Sequence, residues 1–200
     1  MSRFFRLPDI ALFAAALFGL SMMAPLACEV PNAAAIDQFD GDRMTGFQTA
    51  RYRGLAEALL AESREDRALI SGLFAPGTTP ISGIPDGDYR CRTIKLGGLL
   101  PLTAYTPFAC TISGDGTMIE KQTGSQRFSG HLLPSDGGAM FYYGALHYGD
   151  EQPMDYGADA ERNQVGCLYK VSGKPARYRL ELPFPRFEST HDVIELIPAR

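Results

Sequence analysis

At 200 residues, with 45% hydrophobic and 21% charged side chains, the chain can build one packed domain plus an appendage and is too apolar to stay disordered. A formal net charge of −4 excludes the basic footprint of a nucleic-acid binder. The 21 glycines and the absence of Trp suit many short strands joined by tight turns.

The N-terminus reads as an export signal over residues 1–35. Arg3 and Arg6 supply the positive start, and residues 10–27 form an apolar run without charge. Pro31 then precedes Ala33, Ala34 and Ala35, and cleavage after Ala35 satisfies a small-x-small pattern. Leu26-Ala27-Cys28 also looks like part of a lipobox, although Pro25 stands where such a box carries Leu, so lipidation at Cys28 is the alternative. A third reading keeps the run as a membrane helix, since about 18 apolar residues is the lower edge of a span. All three send the remaining chain out of the cytoplasm, to the periplasm or the envelope. Membrane contact is then made only through a lipid or an uncleaved anchor.

Residues 36–80 form an amphipathic helical segment. Phe47, Ala50, Leu55, Ala58 and Leu59, then Leu69, Ile70, Leu73 and Phe74, recur at spacings of three and four. Ser63 followed by Asp66 marks a cap and hence a break between two helices, and Gly77 and Pro80 end the pattern. The polar face carries both signs of charge, which favours packing on the chain's own domain over a membrane surface.

From residue 81 to 200 the periodicity becomes alternating. Eight strands are expected: Asp88–Leu96, Phe108–Ser113, Met118–Thr123, Arg127–Leu133, Ala139–His147, Gln164–Val171, Arg177–Leu182 and Asp192–Pro198. Gly-rich turns such as Ser113-Gly114-Asp115-Gly116 and Ser135-Asp136-Gly137-Gly138 join them as antiparallel neighbours. The fold class is therefore mainly β, an antiparallel meander closed into a small barrel, with a β-sandwich as the alternative. Most strands are too short for a transmembrane barrel. The one long connection, 149–163, is acidic and reads as an exposed loop.

Cys91 and Cys110 fall on consecutive strands, where a cross-strand disulfide is sterically reasonable and an oxidising compartment permits it. Whether Cys28 is cleaved off or lipidated, Cys167 is left over, and it reads as a buried unpaired thiol.

Alternation puts Arg90, Arg92, Ile94 and Leu96 on one face of the first strand and Tyr89, Cys91, Thr93 and Lys95 on the other. Arg127, Ser129 and His131 share a face in the same way. Turned inward, these arginines would need Glu120 or Glu195 as partners and could hold a small anionic ligand. Turned outward, they are solvated, which is the favoured reading. Tyr143 belongs to an aromatic set with Phe141, Tyr142, Tyr148 and Tyr156, suited either to binding or to the core. His131, His147 and His191 show no metal-ligand spacing, and no cofactor is implied. Ser125 does not sit in a nucleophile elbow, and a triad with His191 and Asp192 has no geometric warrant.

Tyr89-Arg90-Cys91-Arg92-Thr93-Ile94-Lys95-Leu96-Gly97, then Cys110, Lys121-Gln122-Thr123-Gly124-Ser125-Gln126-Arg127 and Gly130, and finally Leu182-Pro183-Phe184-Pro185 before Asp192–Pro198, resemble domain-of-unknown-function family 4893. That resemblance implies a Gram-negative secreted or envelope protein with one domain, and it brings no activity or ligand. At the level of fold alone, the chain is also similar to the small barrels of periplasmic lysozyme and protease inhibitors. The expected function is a non-enzymatic binding module that takes an envelope protein or a small anion through the loops at one barrel end, 149–163 above all. The rivals are an envelope hydrolase built on Ser125, His131 or His191, and a purely structural lipoprotein.

Overall fold

A computed structural model describes residues 28–149 and 151–199. The apolar run at 10–27, with Leu26 and Ala27 of the lipobox reading, lies outside the described residues.

Three helices come first: α1 (Gln38–Thr45), α2 (Phe47–Ala58) and α3 (Arg64–Phe74). Asp37 caps α1, its carboxylate accepting from the Asp40 amide at 2.8 Å. Ser63 caps α3, its hydroxyl accepting from the Asp66 amide at 3.0 Å, so the break expected there is present. A second break, at Gly46, was not expected. It lies just before the apolar periodicity begins at Phe47, and tertiary packing accounts for the glycine there: a Cβ at Gly46 would stand 2.9 Å from the Phe184 ring.

The strands are β1 (Thr78–Thr79), β2 (Gly87–Leu96), β3 (Leu102–Ala104), β4 (Phe108–Ser113), β5 (Met118–Lys121), β6 (Gln126–Ser135), β7 (Ala139–Tyr148), β8 (Asn163–Val171), β9 (Arg177–Pro183) and β10 (His191–Pro198). Eight of them, β2 and β4 to β10, form an up-and-down antiparallel meander. The last strand pairs with the first, from His191 opposite Leu96 to Pro198 opposite Tyr89. This closes the barrel and leaves no long edge. The expected eight-stranded closed meander is thus the observed fold, and the sandwich is not. Two short strands were missed: β1 pairs with the end of β8, and β3 folds back on β2.

The barrel interior is a packed core of Tyr89, Cys91, Ile112, Phe128, Leu132, Tyr142, Leu180 and Leu196, among others. Tyr142 fits there because the wall beside it is bare. Gly130 and Gly144 face each other across β6 and β7, and a Cβ on Gly144 would stand 2.6 Å from the Tyr142 hydroxyl. One barrel end is shut by the segment before β2: Ile84 joins the core, and the Asp86 carboxylate accepts from the amides of Asp115 (3.1 Å) and Gly116 (2.6 Å).

The helices cover part of the outer wall, so several strands are buried on both faces. Phe47 and Met44 pack on Phe141, Val165 and Tyr169, while Leu73 and Ala58 pack on Ile94, Leu96 and Val193. At Gly54 the backbone of α2 lies so close to β10 that a Cβ would meet the Cβ of His191 at 2.8 Å.

Two disulfides brace this arrangement. Cys91–Cys110 joins β2 to β4 inside the barrel, as expected. Cys28–Cys167 ties the chain before α1 to the outer face of β8. The reading of Cys167 as an unpaired thiol is therefore corrected. Its partner lies 139 residues upstream, and nothing local in the sequence announces that approach. The same bond occupies the Cys28 sulfur that a lipid thioether would need, and cleavage after Ala35 would discard it. The two disulfides suit an oxidising compartment.

Candidate functional site: the barrel mouth

The end opposite Asp86 is polar. Register fixes which side chains point inward there: on β2 the inner face continues from Tyr89 and Cys91 to Thr93 and Lys95, and on β5 from Ile119 to Lys121. Lys121 lies opposite Cys110 on β4 and Phe128 on β6. Asp192 of β10 pairs with Lys95 in the ladder and points to the same interior. The loop 184–190 roofs this side. Its Thr190 amide donates to Leu96 O at 3.0 Å, and the Leu99 amide donates to Glu188 O at 3.0 Å.

The two interior lysines have different surroundings. Lys95 donates to the Glu188 carboxylate and sits beside Asp192, which also accepts from the Ser189 hydroxyl at 2.6 Å. Burial alone would lower the Lys95 pKa, but Glu188 and Asp192 outweigh it and hold the ammonium charged. Burial raises the Asp192 pKa in turn, against the pull of Ser189 and Lys95.

Lys121 is 5% exposed, yet no carboxylate forms an ion pair with it among the described residues. Its ammonium donates to Gln126 O at 2.6 Å and lies 4.2 Å from the centroid of the Phe108 ring. An ammonium has three N–H groups, so this single hydrogen bond leaves it under-satisfied. Burial, followed by the charges of Lys95 and Arg127, pulls its pKa down to about 8. Around it is a recess of about 110 Å³ lined by Thr93, Tyr105, Phe108, Ser125, Gln126 and Glu188. That is well under the roughly 300 Å³ at which drug-sized pockets begin, and it suits an oxyanion head group. Glu188 on the rim is already engaged by Lys95.

A second charged set lies on the outer wall under α2. Glu181 is fully buried and takes both guanidinium arms of Arg51 (2.7 and 3.0 Å), Arg179 Nε (2.6 Å) and His191 Nε2 (3.0 Å). Burial pushes its carboxyl up, but Arg51, His191 and Arg179 together hold it well below the usual carboxylate range. The Arg51 and Arg179 guanidiniums also flank the Tyr169 ring, at 5.1 and 5.3 Å from its centroid. This set is closed off from solvent by α2 and clamps helix to barrel.

The residues singled out in the sequence fall into separate places. Arg90 is exposed, and Arg92 lies on the outer wall against Glu195 at 2.7 and 3.0 Å. Arg127, on the outer face of β6, donates to Gly124 O at 3.0 Å. His131 and Tyr143 are brought together, their rings stacked 5.2 Å apart outside the barrel, with Tyr156 of the long loop edge-on to Tyr143. The arginines thus do not form one inward cluster. Ser125 lines the mouth recess, whereas His191 is buried under α2, so the two do not converge. Lys121 and Lys95 were not singled out as site residues, although the alternation of their strands already put Lys95 on the face opposite Arg92.

A family model described as Domain of unknown function (DUF4893) matches residues 33–196. The chain belongs to this family. No curated protein and no solved structure matches it, so the likeness to inhibitor barrels gains no support from those comparisons. The DUF4893 match takes in the three helices and nearly the whole barrel, and with them Arg51, Lys121 and Glu181. Cys28 lies before it, so the Cys28–Cys167 bond is anchored at one end outside the matched span.

Proposed function

We propose that this protein is an exported, disulfide-braced binding module whose barrel mouth takes an oxyanion head group, such as a carboxylate, phosphate or sulfate. The observation that carries this reading is Lys121, a buried ammonium with, among the described residues, one hydrogen bond, no carboxylate partner and an adjoining recess. A bound oxyanion would supply the missing acceptors and counter-charge. The apolar leader, together with two disulfides, supports export. A hydrolase built on Ser125 has less support, because among the described residues no hydrogen bond joins the serine to Lys121 or to a histidine.

The test is a titration of the purified protein with sodium sulfate at constant ionic strength, followed by NMR of the Lys121 and Gln126 amides. Saturable shifts confined to the mouth, absent in Lys121→Met, are expected. Shifts that never saturate, or that persist unchanged in Lys121→Met, overturn the reading.

A further inference from the structure

A groove of about 480 Å³ runs between α2 and α3 on the helical side of the molecule, and it shares no lining residue with the mouth recess. Its floor is made of small and aliphatic side chains, Ala58 and Ile70, and its walls of Leu55, Leu59 and Phe74. Leu59 is 74% exposed, an uncommon exposure for a leucine that borders a concave apolar surface. Among the described residues, the one charged residue lining the groove is Arg67. Its guanidinium donates to Ala61 O at the turn between the helices, and among the described residues no carboxylate pairs with it, although Glu65 and Asp66 are near in sequence. The groove therefore offers an apolar trough with a cation at its side, whose remaining N–H donors match a carboxylate fork.

We infer that the α2–α3 groove binds one long-chain fatty acid, with the acyl chain lying along Leu55, Leu59 and Phe74 and the carboxylate on Arg67. Charge complementarity selects this occupant over a neutral chain, which would leave Arg67 facing apolar atoms; a concentration-dependent dimer that Arg67→Glu abolishes would instead seat an acidic side chain of a second copy there and overturn the inference. The inference is independent of the barrel-mouth reading.

The experiment titrates full-length processed protein with cis-parinaric acid below its micellar concentration, and follows fluorescence. Saturable one-to-one binding is expected. Ala56→Trp, at an exposed helical position lining the groove, and Arg67→Glu should each weaken it about tenfold or more. Leu60→Asp, an exposed leucine that does not line the groove, and Lys121→Met should leave it unchanged. Failure of Lys121→Met to bind sulfate therefore says nothing about this site, and the converse also holds. No saturable binding overturns the inference. So does equal loss in Leu60→Asp, or co-flotation with phosphatidylglycerol vesicles that Leu60→Asp abolishes, since either would make the leucines a membrane-facing patch. Competition by the matching alcohol as strong as that by the acid would also overturn it, because Arg67 would then have no role.

Discussion

Cys28 and Cys167 stand 5.7 Å apart at Cα across 139 residues of sequence, and this bond fastens the start of the described chain to the barrel wall. Val30 and Ile36 pack with Cys28 against Phe141 and Val165, so the segment before α1 is part of the fold.

On the proposed export, the mature chain should therefore begin at or before Cys28, and its intact mass should fall four hydrogens below the reduced mass, two for each of its two disulfides. A loop of that length restrains the unfolded chain strongly, and Cys28→Ser should cost about 3–5 kcal/mol in urea unfolding. An N-terminus at Ile36, or a diacylglyceryl mass on Cys28, would show the bond to be absent from the mature protein.

All eight meander strands were legible in the sequence because their turns are explicit and strands such as β6 alternate cleanly between buried and half-buried positions. Inward facing was harder to read. β10 runs His-Asp-Val-Ile-Glu-Leu with all six side chains buried, because α2 and α3 cover its outer face while the core covers its inner one. Period-two alternation carries no sign of which face is the interior in such a strand. The same covering hid Glu181 and His191, whose charge partner Arg51 sits on a helix 130 residues away. Lys121 was hidden for another reason. A lysine at the end of a strand reads as a solvated edge residue, and only the barrel's closure turns it inward.

The Arg51–Glu181 contact should dominate the stability of the helix-to-barrel interface. Glu181→Gln leaves Arg51 and Arg179 buried without a counter-charge, and the expected loss is about 3–5 kcal/mol. The depressed Glu181 pKa gives the sign of the pH effect. Its contribution is fully present above the ordinary carboxylate range and is lost only as pH falls through the lower folded value. Urea midpoints of wild type and Glu181→Gln should differ at pH 7 and converge in strong acid. A constant difference across that range would rule the ion cluster out as the cause.

Gly98 links the helices to the roof of the mouth. Its amide donates to Glu57 Oε2 at 2.9 Å, its φ is +83°, and a Cβ there would stand 2.2 Å from Glu188 O. The obstacle is backbone, so Gly98→Ala cannot be absorbed by a side-chain rotation. A loss of about 1–3 kcal/mol is expected. Sulfate binding should change as well, because the displaced Glu188 no longer holds Lys95. Thermal unfolding and the same NMR titration read both effects, and a variant that loses stability with unaltered sulfate affinity would separate the roof from the site.

Lys121 should show its buried charge in the pH dependence of stability. The folded pKa, about 8, lies below the 10.5 of a free lysine, so between these values the unfolded chain binds more protons than the native one. The Lys121 contribution must then rise with pH across that window, by an amount on the order of 3 kcal/mol, with its cost fully present below pH 8; buried tyrosines such as Tyr89 and Tyr169 act in the opposite sense near pH 10, so the readout is wild type minus Lys121→Met. Lys121→Met removes the charge and should raise the neutral-pH unfolding midpoint while abolishing the rise. Sulfate, which keeps its double charge throughout, should stabilise the wild type below about pH 8 and progressively less above it, as the ammonium that would hold it deprotonates. A difference between wild type and Lys121→Met that stays flat between pH 8 and 10 would mean that Lys121 already has its counter-charge in solution, and the mouth would lose its claim to a ligand.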